Sequence, residues 1–114
     1  MDDCLFCKII RGDIPSDKVY EDDSVYAFRD INPQAPTHIL IIPKEHIPTI
    51  NDLNEANQSV LGAVMLTAKK LAADEGITDS GYRTVFNCNA DGGQAVYHIH
   101  LHLLGGRQMT WPPG

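Results

Sequence analysis

Between His98 and Leu103 the chain alternates strictly, as His98, Ile99, His100, Leu101, His102 and Leu103. Successive side chains of a strand point to opposite faces, so this period of two puts three imidazoles on one face and Ile99, Leu101 and Leu103 on the other. The pattern demands a sheet with one face closed by a core and the other able to take three polar rings. A single histidine on a strand is ordinarily a satisfied polar residue. Three of the chain's five histidines in one stripe are harder to place that way, because each desolvated ring costs stability unless a ligand, a metal or a mechanism uses it.

The remaining chain supplies the partners for such a strand. Leu5 and Ile9, and Phe6 and Ile10, stand four residues apart ahead of Gly12, which predicts a short helix over Cys4 to Arg11. Lys18 to Glu21 and Val25 to Arg29 read as two strands of a hairpin around Asp22-Asp23-Ser24. Pro33 and Pro36 impose a loop, and Thr37 to Ile42 returns as a strand that Pro43 stops. The period then changes. Val60, Val64, Ala68 and Leu71 recur at helical steps, predicting a long helix within Asn54 to Glu75, with Asn54 as N-cap and Gly76 as stop. Tyr82 to Cys88 and Val96 to Leu104 are the last two strands, separated by a loop over Asn89 to Ala95 that contains Gly92-Gly93. The order predicts an α+β fold: a five-stranded, mostly antiparallel sheet with one long and one short helix, in a single domain spanning residues 1–114.

Charge narrows the partners. Nine Lys and Arg against fifteen Asp and Glu leave a formal charge of −6, which argues against a nucleic-acid polymer but leaves room for one small nucleotide. Met1-Asp2-Asp3-Cys4 lacks the positive and apolar regions of a secretory signal, and the apolar run Val60 to Leu66 is far short of the ~20 residues of a membrane span. The expectation is a cytoplasmic protein with no membrane partner. In that reducing setting Cys4-x-x-Cys7 suggests a metal or redox pair, and Cys88 reads as a core residue.

The histidine stripe admits two chemistries. Imidazoles two residues apart on a strand can converge on a catalytic zinc. Alternatively, with Asn87, Asn89 and the turn Asp91-Gly92-Gly93-Gln94 just before it, the stripe can form a phosphate site in which backbone N–H groups face an oxyanion. Gly92-Gly93 could equally be a plain hairpin turn.

The run Ala90-Asp91-Gly92-Gly93-Gln94-Ala95-Val96-Tyr97-His98-Ile99-His100-Leu101-His102-Leu103-Leu104-Gly105-Gly106-Arg107 resembles the histidine-triad (HIT) motif, and the ending Trp111-Pro112-Pro113-Gly114 resembles the histidine-triad nucleotide-binding (HINT) branch. The likeness continues in order through Lys8-Ile9-Ile10, Asp30 to His38 and Ile42-Pro43-Lys44-Glu45-His46-Ile47. It implies a homodimer whose sheet continues from one subunit into the other, with Trp111 near the partner's site. The implied activity is hydrolysis of purine nucleoside 5′-phosphoramidates, AMP or GMP joined through nitrogen to an amine.

By the same resemblance His100 is the nucleophile that forms a nucleotidyl-histidine intermediate, His102 contacts the phosphoryl oxygens and aids amine departure, and His38 supports the site. Asn87, Gly93 and Gln94 would stabilise charge on the phosphoryl oxygens. Asp30 would bind the ribose hydroxyls, with Leu5, Phe6, Ile9, Val19, Phe28, Ile31 and Leu40 around the base. Each of those apolar residues could instead be plain core. Ala95 stands where animal members of the branch commonly carry Ser, so one hydrogen bond beside the scissile bond is missing. Resemblance to zinc-bearing members supplies Cys4 and Cys7 with His46 and His98 as co-ligands of a structural, tetrahedral zinc. Three other activities remain in view: a non-catalytic nucleotide-binding scaffold dimer, a zinc hydrolase using the stripe as ligands, and a dinucleoside polyphosphate hydrolase, a branch against which the Trp-Pro-Pro-Gly ending argues.

Overall fold

The computed structural model describes residues 3–114. Met1 and Asp2, part of the segment read above for a signal peptide, lie outside them. Helix α1 (Leu5–Arg11) leads into strands β1 (Lys18–Glu21), β2 (Val25–Arg29) and β3 (Thr37–Pro43), then helix α2 (Gln58–Asp74), strand β4 (Tyr82–Phe86), a four-residue helix α3 (Asn89–Gly92) and strand β5 (Leu101–Gly105). The strands form one sheet in the order β1-β2-β3-β5-β4, every pairing antiparallel.

Alternation sorts the central strands onto two faces. Val25 and Ala27 of β2, Ile39 and Ile41 of β3 and Leu101 and Leu103 of β5 pack beneath α2, which contributes Val64, Ala68, Leu71 and Ala72. Fully burying a Val or Leu side chain stabilises by ~1.5–3 kcal/mol, so this face holds α2 to the sheet. The intervening residues Tyr26, Phe28, Leu40 and Ile42 face the other way and meet Phe6 and Ile9 of α1. Covered on both sides, β3 is buried at every position. A bidentate pair from Arg29 to Glu75, at 2.9 and 3.0 Å, fastens the end of β2 to the C-cap of α2.

Four boundaries differ from the sequence expectation, each for a local reason. The long helix starts at Gln58, because the Asn54 side chain accepts from the Ala56 N–H and caps a separate 3-10 turn over Glu55–Asn57. Cys4 is the N-cap of α1 instead of its first residue, its Sγ accepting from the Cys7 N–H, and Gly12 closes the helix with φ of 83°. The loop after β4 coils into α3, ended by Gly93 at φ 80°, and Cys88 becomes the partly exposed residue before it instead of core. The last strand joins the ladder only at Leu101, since the Ile99 N–H is taken by the Ile47 carbonyl at 2.8 Å. Alternation survives nonetheless: Ile99 is buried, and His98 and His100 point away from it toward Phe6.

Candidate active site and metal cluster

His100 and His102 open onto a cavity of about 290 Å³ beneath α1, near the lower end for small-molecule sites. Its walls are apolar: Leu5, Phe6 and Ile9 from α1, Ile14 and Pro15 from the turn after it, Phe28 from β2, Leu40 from β3, and Ala95 and Val96 from the segment before the triad. Asp30 and Ile31 stand at its rim, Ile31 fully exposed. A carboxylate at the mouth and imidazoles at the back suit a ligand with an apolar ring at one end and an anion at the other.

Hydrogen bonding sets the tautomers of the rings. A carbonyl can only accept, so His100 Nδ1, 2.9 Å from the His98 carbonyl, carries its proton and leaves Nε2 with a lone pair. His38 Nδ1 accepts from the Gln34 N–H at 3.0 Å, so the neutral ring carries its proton on Nε2. That Nε2–H lies 2.9 Å from His102 Nδ1, which must therefore accept, leaving Nε2–H as the free position of His102. Asp30 Oδ2 lies 3.5 Å from His38 Nε2.

Burial keeps these rings neutral. Desolvation pushes His100 below the usual imidazole range, and it does the same to His38 against the opposing pull of Asp30. His102 is pushed down to about 4, first by burial and then by its neighbours His100 and His38. At neutral pH one uncharged imidazole thus offers a lone pair and another offers an N–H to the same cavity.

A second cluster lies against the first. Ligand atoms of Cys4, Cys7, His46 and His98 all fall within 4.8 Å of one another. His98 Nε2 donates to the Pro43 carbonyl at 2.8 Å, so its Nδ1 lone pair faces Cys4 Sγ at 3.5 Å and Cys7 Sγ at 3.7 Å. His46 Nδ1 stands 3.4 Å from Cys7 Sγ. Two sulfurs and two imidazole nitrogens, one with its tautomer already fixed by a backbone carbonyl, fit a tetrahedral zinc ion. Burial, and then the neighbouring Cys4, raise the Cys7 thiol above its ordinary range.

Of the residues singled out in the sequence, Leu5, Phe6, Ile9, Phe28, Asp30, Ile31, Leu40, Ala95, His100 and His102 share the cavity, and His38 backs His102. Val19 does not. It lies at the bulge between Lys18 and Tyr20 and packs on the core beneath α2, the face that carries Ala27. Gln94 is buried with its amide turned inward: Nε2 donates to the carbonyls of Pro48 and Val96, and Oε1 accepts from the Asn89 N–H. Asn87 and Gly93 flank α3 outside the cavity lining, and Trp111 is 81% exposed. Ile14, Pro15 and Val96 were not anticipated. Val96 shares parity with His98 and His100, a signal available in the alternation. The turn at Ile14 and Pro15 becomes a wall only because α1 folds back over the sheet.

A small antiparallel sheet under one long helix, with three alternating histidines leading into its fourth-placed strand, defines a fold of the histidine-triad type. The HIT domain family matches residues 11–109, and the chain belongs to that family. It is 57% identical over 108 residues to the purine nucleoside phosphoramidase of Escherichia coli (strain K12), covering 95% of this chain and 91% of that protein. To the 14 kDa zinc-binding protein of Zea mays it is 56% identical over 112 residues, with 96% and 87% covered. The crystal structure of a HIT family hydrolase from Legionella pneumophila Philadelphia 1 superposes with a TM-score of 0.97 at 64% identity, covering 98% of this chain and 100% of that one.

Proposed function

We propose that the chain is a purine nucleoside phosphoramidate hydrolase acting through a nucleotidyl-His100 intermediate. The observation that carries the reading is the pair of opposed tautomers, a lone pair on His100 Nε2 and an N–H on His102 Nε2, at one apolar cavity. The name of the Escherichia coli relative supports the substrate class.

His100 Nε2 bonds to phosphorus as the bond from phosphorus to the amine nitrogen breaks. The Nδ1–H stays donated to the His98 carbonyl, which faces the positive charge the ring acquires. The departing amine needs a proton. His102 Nε2–H is the group positioned to donate to the departing nitrogen; the phosphoryl charge favours uptake of one proton from solvent into the site along with the substrate, and that proton leaves with the amine. Water then attacks phosphorus as the bond to His100 Nε2 breaks, its proton passing through His102 to solvent, and the nucleoside monophosphate leaves with His100 restored. Asp30 takes the ribose hydroxyls and the apolar wall takes the base. Gln94 acts by holding the loop through its three bonds, and the Gly93 N–H closes α3 on the Ala90 carbonyl at 3.0 Å.

Cys4, Cys7, His46 and His98 hold a structural zinc in this reading, supported by their donor set and by the name of the maize relative. With all four positions filled by protein, the ion would cross-link α1 to the sheet. The whole chain acts as one domain, and two copies pair along β4, an edge of the sheet whose exposed Tyr82 lines a shared hollow with the exposed Leu66 of α2. Pairing there extends the sheet and brings Trp111 toward the partner's site. Among the described residues no helix is long and apolar enough to cross a membrane, and we place the protein in the cytoplasm.

The test is release of AMP from adenosine 5′-phosphoramidate, with quenched samples weighed intact for an AMP adduct. His100→Asn is expected to abolish both product and adduct. Unchanged turnover in that variant overturns the mechanism, and AMP binding without turnover in the native protein makes it a binding protein instead.

A further inference from the structure

His98 belongs to both clusters. Its Nδ1 faces the two thiols, its Nε2 is anchored on Pro43, and its carbonyl holds His100 Nδ1 and so sets the nucleophile's tautomer. Helix α1 is shared in the same way. Its N-cap Cys4 and its Cys7 belong to the metal cluster, while Leu5, Phe6 and Ile9 between and beyond them wall the nucleotide cavity. Phe6 makes the contact explicit, standing edge-on to His98 at 5.9 Å and to His100 at 5.1 Å.

We infer that His98 is a positioning residue through which metal and nucleotide binding are coupled, each raising the affinity for the other. This rests on the zinc and nucleotide readings above and adds a link between them. A helix of seven residues is not stable by itself, because nucleation is costly and few hydrogen bonds follow it. Its hold on the sheet rests on Phe6 and Ile9 against Tyr26, Phe28, Leu40 and Ile42, so the fraying that remains is a cost that either ligand meets. Zinc draws Cys4 and Cys7 toward His46 and His98; a nucleotide fills the space beneath Leu5, Phe6 and Ile9. Whichever binds first leaves the helix and the backbone at His98 in place for the second. Linkage then requires the same factor in both directions.

The experiment measures zinc affinity by competition with a chromophoric chelator, with and without saturating AMP, and AMP affinity by calorimetry, with and without zinc. The expected outcome is a gain of about fivefold or more, equal in the two directions within error. Circular dichroism must show the chelated protein folded at the assay temperature, and amide exchange over Leu5–Arg11 is expected to slow with either ligand. Cys4→Ser/Cys7→Ser is expected to bind AMP as the chelated native protein does and to ignore zinc. If both ligands bind with independent affinities, the coupling is overturned while the two site readings stand. Failure of zinc to bind the native protein removes the metal reading and the coupling together, and failure of AMP to bind removes the nucleotide reading and the coupling.

Discussion

His38 Nε2 lies 2.9 Å from His102 Nδ1, and the Gln34 N–H on the far side of His38 compels the proton between the two rings to belong to His38. Two hydrogen bonds in series thereby decide which nitrogen of His102 confronts the phosphoryl group.

Replacing His38 by Ala deletes that donor and frees His102 to rotate or change tautomer. A lost bond of ~1–2 kcal/mol in the transition state corresponds to roughly a tenfold fall in kcat. Steady-state kinetics on adenosine 5′-phosphoramidate checks it. A kcat within twofold of native would mean the relay has no part in turnover.

Acid is expected to destabilise the fold before any carboxylate titrates. His38, His100 and His102 have folded pKa values below their ordinary 6.5, His102 at about 4. Between those values and 6.5 the unfolded chain binds more protons, so this contribution to stability is complete above pH 6.5 and is lost as pH falls toward 4. Glu75, held low by its hydrogen bonds and charge pairing with Arg29, acts only below its ordinary 4.5. Thermal melts at pH 7.5, 6 and 5 with a chelator present, so that bound metal plays no part, are expected to show a steadily falling Tm, to which buried His98, also held below its ordinary range, adds in the same direction; a flat or rising Tm contradicts the assignment.

Gln94→Ala removes an amide that holds three backbone groups. Leaving buried donors and acceptors unmet costs about 1–3 kcal/mol. Denaturant unfolding is expected to show that loss, accompanied by a raised KM as the Asn89 to Val96 loop loosens. A change confined to kcat would instead assign the side chain a direct part in the chemistry.

Ala95→Ser restores a hydroxyl at the cavity wall. One hydrogen bond near the leaving group, at ~1–2 kcal/mol, is expected to raise kcat up to about tenfold for amines that leave poorly. Comparing a good and a poor leaving group separates this from a general effect on binding, which would move both alike.

The alternation from His98 to Leu103 determined, with no tertiary information, that these histidines share a face opposite a core, because the geometry of extended backbone is local. The two longer helices α1 and α2, the five strands and the glycine stops were legible for the same reason: capping, branching and proline act within a few residues. What each side chain does with its polar atoms was not. The amide of Gln94 faces inward because the carbonyls of Pro48 and Val96 arrive there, and Val19 turns to the helix-covered face at a bulge that only pairing with β2 reveals. The tautomers of the triad belong to this second class. They depend on the Pro43 carbonyl, the Gln34 amide and the His98 carbonyl, two of them far from the triad in the chain. A hydrogen bond is settled by proximity in space, and proximity between distant segments is what the packed sheet alone decides.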